Sequence, residues 1–170
     1  MLPPEDFRRA LGHFASGVTV VTTWDREGRP TGLTASAFTS VSLTPPLVLV
    51  CVARTSHSYP ALHASGRFAV NILAAEQEAV SRRFAIPPSS DNGAEKFEGV
   101  PYEPGALGLP VLVDALASLE CSTVQAYPGG DHTIFVGQVE AAACRAAPGT
   151  DPLLYYRGQY GRLHPRDGLS

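Results

Sequence analysis

The chain has 170 residues, 44% of them hydrophobic and 17% charged, which supports one domain with a sizeable core and excludes wholesale disorder. Thirteen Lys and Arg against sixteen Asp and Glu leave a net charge of -3. That balance argues against a dedicated nucleic-acid binder, which carries a basic face.

The spacing of Phe7, Ala10, Leu11, Phe14 and Ala15, with Glu5 and Asp6 at the start and Gly17 at the end, predicts a helix over 4–16. The β-branched run 18–24 predicts a strand that ends in the turn-rich 25–30. The small, hydroxylated stretch 31–43 is separated by Pro45 and Pro46 from a further strand over 47–53, and these read as hairpin-connected strands of a meander. A short helix is expected over 56–65, a strand over 67–73 and an amphipathic helix over 74–84. Residues 86–110 read as a long loop, and loops of that length are more often functional than idle. Three more strands are expected at about 112–118, 119–127 and 133–144, the last two joined through 128–132, with a turn leading into 152–163. Short strands with two or three helices predict a mainly β fold, an antiparallel barrel with flanking helices in one domain over 1–170.

Cys51, Cys121 and Cys144 lie far apart without a C-x-x-C pair, which fits reduced thiols in a cytoplasmic protein. No apolar run approaches the ~18 residues of a membrane span, and the polar, acidic start is unlike a signal peptide. Twelve of the thirteen cations are Arg and only Lys96 is Lys; codon bias and selection for bidentate phosphate contacts both produce such a skew.

The sequence has no G-x-G-x-x-G opening a helix after a strand, no Walker A, no G-x-S-x-G elbow and no H-E-x-x-H. His13, His57, His63, His132, His164 and the three cysteines do not fall at metal-ligand spacings, so no metal site is expected. Enzymatic chemistry would then rest on a bound organic cofactor. The segment 34–46 sets the hydroxyls of Thr34, Ser36, Ser40 and Ser42 among small residues that let a ligand approach the backbone; the same composition suits a solvated strand and turn. Ser56, His57 and Ser58 open an expected helix, where amides attract anions and where a plain cap also belongs. Arg82 and Arg83 suit either a phosphate or the helix dipole, and Phe84 either a ligand ring or the core. His132, after Gly129, Gly130 and Asp131, stands at a strand mouth, a common position for a ligand contact and for a solvated loop alike.

In this order, the stretches FRRALGHFASGVTVVTT, TASAFTSVSLTPPLV, GDHTIFVGQV and PLLYYRGQYGRL resemble the short-chain NAD(P)H-dependent flavin reductases, reductase components of two-component flavin-dependent monooxygenases with an FMN-binding split β-barrel. The resemblance runs from about Phe7 to Leu163 and is least over 86–110. It implies flavin contacts at Thr34, Ala35, Ser36, Ser40, Val41 and Ser42, with Cys51, Val52 and Ala53 beside the ring. It implies Ser56, His57, Arg83 and Phe84 around the phosphate-bearing tail, His132 at the nicotinamide site, and Tyr156 and Tyr160 close to the same pocket. FMN or FAD, NADH or NADPH, a homodimer and a separate monooxygenase that receives reduced flavin follow from the same resemblance. The alternatives are a split-barrel flavoenzyme with tightly held FMN, of the pyridoxamine-phosphate-oxidase kind, and a non-catalytic flavin- or haem-binding module. Hydride transfer between stacked rings asks little acid–base work of a protein, so His132 reads as a positioning residue.

Overall fold

Pro4 begins a helix with Glu5 and Asp6 in its first turn and Arg8 and Arg9 in its last, charges that complement the helix dipole at both ends. In the computed structural model, which describes residues 2–145 and 150–163 and so leaves His164 outside, this helix (α1, Pro4–Leu11) is shorter than expected. It ends at Leu11 because Ser16 and Gly17 form a short strand β1 paired with Tyr155 and Leu154 near the C-terminus; long-range pairing overrides helical spacing there. The chain continues through β2 (Thr19–Trp24), β3 (Pro30–Ala35), β4 (Phe38–Leu43), β5 (Pro46–Ala53), α2 (Tyr59–Ser65), β6 (Arg67–Ile72) and α3 (Glu78–Ala85). Then come β7 (Tyr102–Pro104), β8 (Pro110–Leu112), β9 (Ala117–Gly129), β10 (His132–Cys144), β11 (Leu154–Tyr156) and β12 (Gln159–Gly161). The expected helix over 74–84 is a 3-10 turn (Ala75–Gln77) followed by α3. In place of expected strands at 112–118 and 119–127 stands the single strand β9, paired with β10 along its length.

Seven strands form one antiparallel sheet in the order β3-β2-β6-β9-β10-β5-β4. The hairpins β2–β3 and β4–β5 form as expected, but β3 and β4, consecutive in sequence, lie at opposite edges, so this is not a meander. Only Ser36 and Ala37 separate Ala35 from Phe38, and three Cα steps span at most about 11 Å. The two edges therefore stand close together and the sheet curls into an antiparallel split barrel, open along the β3/β4 seam. Its interior holds Val21, Val48, Val50, Val52, Phe68, Val70, Cys121 and Phe135. Along β5 the pleat alternates, with Val48, Val50 and Val52 buried inside while Leu49, Cys51 and Ala53 face out, half-buried.

The segment 86–110 is more ordered than a plain loop. It contains a 3-10 turn (Gly93–Phe97), capped by Asn92 Oδ1 accepting from Ala94 N–H at 3.1 Å, and the strand β7 paired with β8. Glu120, 4% exposed on β9, accepts from the N–H groups of Ala106, Leu107 and Leu109 at 2.6, 2.9 and 3.4 Å. Asn71 Oδ1 accepts from Leu112 N–H at 2.9 Å, and Thr22 Oγ1 donates to Pro110 O at 2.5 Å. Replacing Glu120 with Ala strands three amide donors, and urea denaturation should show a loss of about 1–3 kcal/mol; an unchanged midpoint would mean that other contacts hold this segment.

Candidate active site along the barrel seam

Three adjoining cavities follow the open seam. The largest, about 720 Å³, has Phe7, Arg8, Leu11 and Phe14 on one wall, Tyr155, Arg157 and Gly158 on another, and Ser36, Ala37, Phe38, Thr39, Leu49 and Cys51 as its floor. Ser36 and Tyr155 also line a second cavity of about 230 Å³, with Val18, Thr34, Ser81, Ala85 and Tyr160. Thr34 and Ala85 pass on to a third of about 250 Å³, lined by Leu33, Ala53, Thr55, Ser56, His57, Phe84, Pro87 and Lys96. The shared residues make one groove, mostly apolar at its wide end and richer in hydroxyls at its narrow end.

The β5 pleat decides which of its residues reach the groove. Cys51 and Ala53 face it, whereas Val52, fully buried, points into the barrel and offers no side chain to a ligand. Ala35 is likewise buried, with its carbonyl accepting from Thr19 Oγ1 at 2.6 Å. Thr34 lines the two narrower cavities, its hydroxyl donating to Ser81 O at 2.7 Å, and Ser36 lies exposed on the floor. Ser40, Val41 and Ser42 line none of the three cavities. Ser40 pairs with Val48 and shares the opposite face from Thr39 and Leu49, a bulge displaces Val41, and Ser42 Oγ accepts from Thr44 N–H at 3.2 Å.

At the narrow end, Ser56 and His57 line the third cavity. Ser58 Oγ is committed to Gly32 O at 2.8 Å and shares a hydrogen bond with Thr31 Oγ1 at 2.9 Å. Gly93 presses so closely on Thr31 and His57 that a Cβ there would collide with Thr31, which fixes the imidazole from behind. His57 Nδ1 is buried without a hydrogen-bond partner in the protein. Phe84 is 1% exposed and stacks edge-on against Phe97 at 4.9 Å, so it belongs to the core and borders the cavity only at its edge. Arg83 donates to Glu98 O, outside the groove. Arg82 pairs with Glu78 at 2.7 Å and lies over the Tyr160 ring at 4.7 Å.

Tyr160 lines the second cavity, its hydroxyl 2.8 Å from Ser81 Oγ. Tyr156 turns outward, edge-on to His13 at 6.4 Å, and its neighbour Tyr155 takes the groove side, because adjacent strand residues face opposite ways. His132 opens β10 directly across from Ala53. Its Nδ1 is 2.7 Å from Asp131 Oδ1, and this hydrogen bond holds the Asp131 carboxyl below its ordinary 3.8. Residues that the sequence reading missed include Phe7, Phe14, Ser81, Lys96, Tyr155 and Arg157. The apolar spacing of Phe7, Leu11 and Phe14 gave a helix without saying that it faces a groove, and nothing local marked Tyr155 or Arg157.

Burial pushes the Cys51 thiol up, and pushes Cys121, aided by Glu120 and Glu140, to about 12. Cys144 is exposed, Cys51 half-buried and Cys121 buried. Alkylation at neutral pH should therefore mark Cys144 first, Cys51 slowly and Cys121 hardly at all, read by peptide mass spectrometry. Rapid Cys121 labelling would mean that the barrel opens readily.

Comparison with known proteins supplies the family. The flavin reductase like domain matches residues 11–164. The chain is 39% identical over 164 residues to the flavin-dependent monooxygenase reductase subunit HsaB of Mycobacterium tuberculosis, covering 96% of this chain and 84% of that protein. It is 44% identical over 157 residues to the FMN reductase (NADH) SmoA of Agrobacterium fabrum, covering 92% and 84%. The structure of the Streptomyces globisporus C-1027 NADH:FAD oxidoreductase SgcE6, in complex with NAD and FAD fragments, matches with a TM-score of 0.86 at 39% identity over 98% of both chains. The chain therefore belongs to the flavin reductase like domain family.

Proposed function

We propose that this chain is an NAD(P)H:flavin oxidoreductase that transfers a hydride from NADH or NADPH to FMN or FAD and supplies the reduced flavin to a separate flavin-dependent monooxygenase. The observation that carries this reading is the single groove along the seam, with flat apolar walls, a floor of small residues, and hydroxyls and an ammonium at its narrow end. The donor set fits a flavin, since Thr55, Ser56, His57 and Lys96 set hydroxyls, an imidazole and an ammonium around the narrow cavity, where a polar tail would find partners. When bound, the flavin and nicotinamide supply the hydride chemistry themselves. The chain's part is to hold two flat rings in register and keep water out, and alignment of that kind contributes roughly 7–11 kcal/mol.

Ser36, Ala37, Cys51 and Ala53 serve as the floor beneath the ring, and Ser56 and His57 receive the phosphate-bearing tail. His132 orients the nicotinamide. Its Nδ1 lies against the Asp131 carboxylate, which leaves Nε2 as the ring nitrogen for an amide group. This is a positioning task and requires no proton transfer.

The functional unit is a homodimer of one domain spanning 1–170. α1 buries none of its residues, and Phe7 and Phe14 are 53% and 79% exposed, an apolar surface that a second copy would cover. No helix among the described residues is long and apolar enough to cross a membrane. Three free cysteines support a cytoplasmic site of action.

Nicotinamide absorbance followed with and without added flavin tests the reading: consumption of NADH or NADPH should rise and saturate with free FMN or FAD. A flavin spectrum that survives desalting, with no turnover, would sink it in favour of a tightly bound cofactor. His132→Ala should lower turnover at least several-fold and leave the flavin dissociation constant within a few-fold; equal kinetics would remove His132 from the site. Ser36→Ala should weaken flavin binding by about 1 kcal/mol, measured by fluorescence titration, and unchanged affinity would take its hydroxyl off the flavin.

A further inference from the structure

The net charge of the chain is -3, yet no described Asp or Glu lines any of the three cavities of the groove. Two arginines line the widest of them, Arg8 on the α1 wall and Arg157 on the wall made by the β11–β12 turn. Other arginines find carboxylates: Arg9 lies 2.8 Å from Asp6, Arg82 2.7 Å from Glu78 and Arg29 2.9 Å from Asp25. The Arg8 guanidinium has no hydrogen-bond or ion-pair partner among the described residues, and the Asp6 carboxylate on the same helix is taken by Arg9. The Arg157 guanidinium meets an imidazole and a ring face, with Nη2 3.3 Å from His13 Nε2 and its carbon 5.6 Å from the centre of the Tyr156 ring. Arg157 N–H donates to Gly12 O at 2.9 Å, which ties the turn to the end of α1 and keeps both cations on one cavity.

NADH and NADPH differ at one place, the adenosine 2′ position, which carries a hydroxyl in the first and a phosphate in the second. A carboxylate there accepts from the hydroxyl and repels the phosphate, whereas an arginine welcomes the phosphate. The groove offers no such carboxylate, and its two guanidiniums lack one. A planar guanidinium gives paired N–H donors to phosphate oxygens, and apolar walls screen the attraction less than open water does. The narrow end is assigned to the flavin tail, and His132, across from Ala53, to the nicotinamide. The wide cavity, about 720 Å³, is the room left for the adenosine end.

We propose that Arg8 and Arg157 receive the adenosine 2′-phosphate and make NADPH the preferred hydride donor. The assignment rests on the flavin reductase reading and chooses between the two dinucleotides that the reading leaves open.

Calorimetric binding of the oxidised dinucleotides, to protein saturated with the flavin it reduces, tests the site without turnover. NADP+ should bind the wild type about tenfold more tightly than NAD+. Arg8 stands on a helix that buries none of its residues, so Arg8→Gln leaves the core intact. That variant should weaken NADP+ about tenfold and leave NAD+ within about twofold. Arg157→Asn, whose side chain tolerates the φ of 50 at that turn, should act in the same direction, and Arg8→Lys, which keeps the charge without the fork, should recover part of the loss. In turnover, KM for NADPH should rise in Arg8→Gln while kcat and the KM for NADH hold. A wild type that binds both dinucleotides alike, or NAD+ more tightly, overturns the proposal and leaves the reductase reading standing. Variants that keep the wild-type preference overturn it as well. Equal weakening of both dinucleotides in Arg8→Gln does the same and moves the arginine onto the pyrophosphate that they share. A wild type that consumes neither NADH nor NADPH with any flavin overturns the reductase reading and this assignment with it.

Discussion

Ser36 and Ala37 hold the opposite edges of a seven-stranded sheet within about 11 Å of each other. A sheet tied in this way has to curl, yet β3 and β4 are not paired with one another, so the barrel stays open along one line. Two unpaired edges are normally a liability, exposing a row of amide and carbonyl groups. Here α1, α3 and the β11–β12 hairpin lie along that line, and the space left between them and the edges is the groove.

Those covers are held by a few specific bonds. β1 pairs with β11, Arg157 N–H donates to Gly12 O at 2.9 Å, and the Tyr160 hydroxyl meets Ser81 Oγ at 2.8 Å. The hairpin turn itself places Arg157 at φ 50 and Gly158 at φ 78, the pair of left-handed residues that a tight two-residue hairpin requires. The groove therefore has a floor and a rim of different character. The floor comes from the β3–β4 connection, β4 and β5, the last paired on both sides by β4 and β10, while the rim comes from short elements held by a few hydrogen bonds. Rigid placement of a ring on such a floor is compatible with a rim that admits and releases ligands.

The segment 86–110 shows how a stretch without strong periodicity becomes ordered. Glu120 gathers three of its amides on one side of the barrel, and Lys96 ties it to Gly32 and Phe84 on the other. Both anchors are charged groups with backbone partners, and each brings buried charge to a place where apolar packing alone would not specify a conformation. Neither could be foreseen from spacing, because the partners lie 11 to 64 positions away in the chain.

The strands, their hairpins and the mainly β class were legible in the sequence because β-branched runs, alternation and turn residues act over short distances. The family resemblance grouped Cys51, Val52 and Ala53 together, yet the alternation along β5 turns Cys51 and Ala53 toward the groove and sends Val52 into the core. The tertiary structure alone decided that β3 and β4 occupy opposite edges, that α1 stops at Leu11, and that Arg83 and Phe84 turn away from the groove. It also brought Lys96 and His57 to one cavity. The physical reason is common to these cases. Local propensity settles which backbone conformation a segment prefers, whereas strand partners and the acceptors of buried charges are chosen by competition across the whole chain.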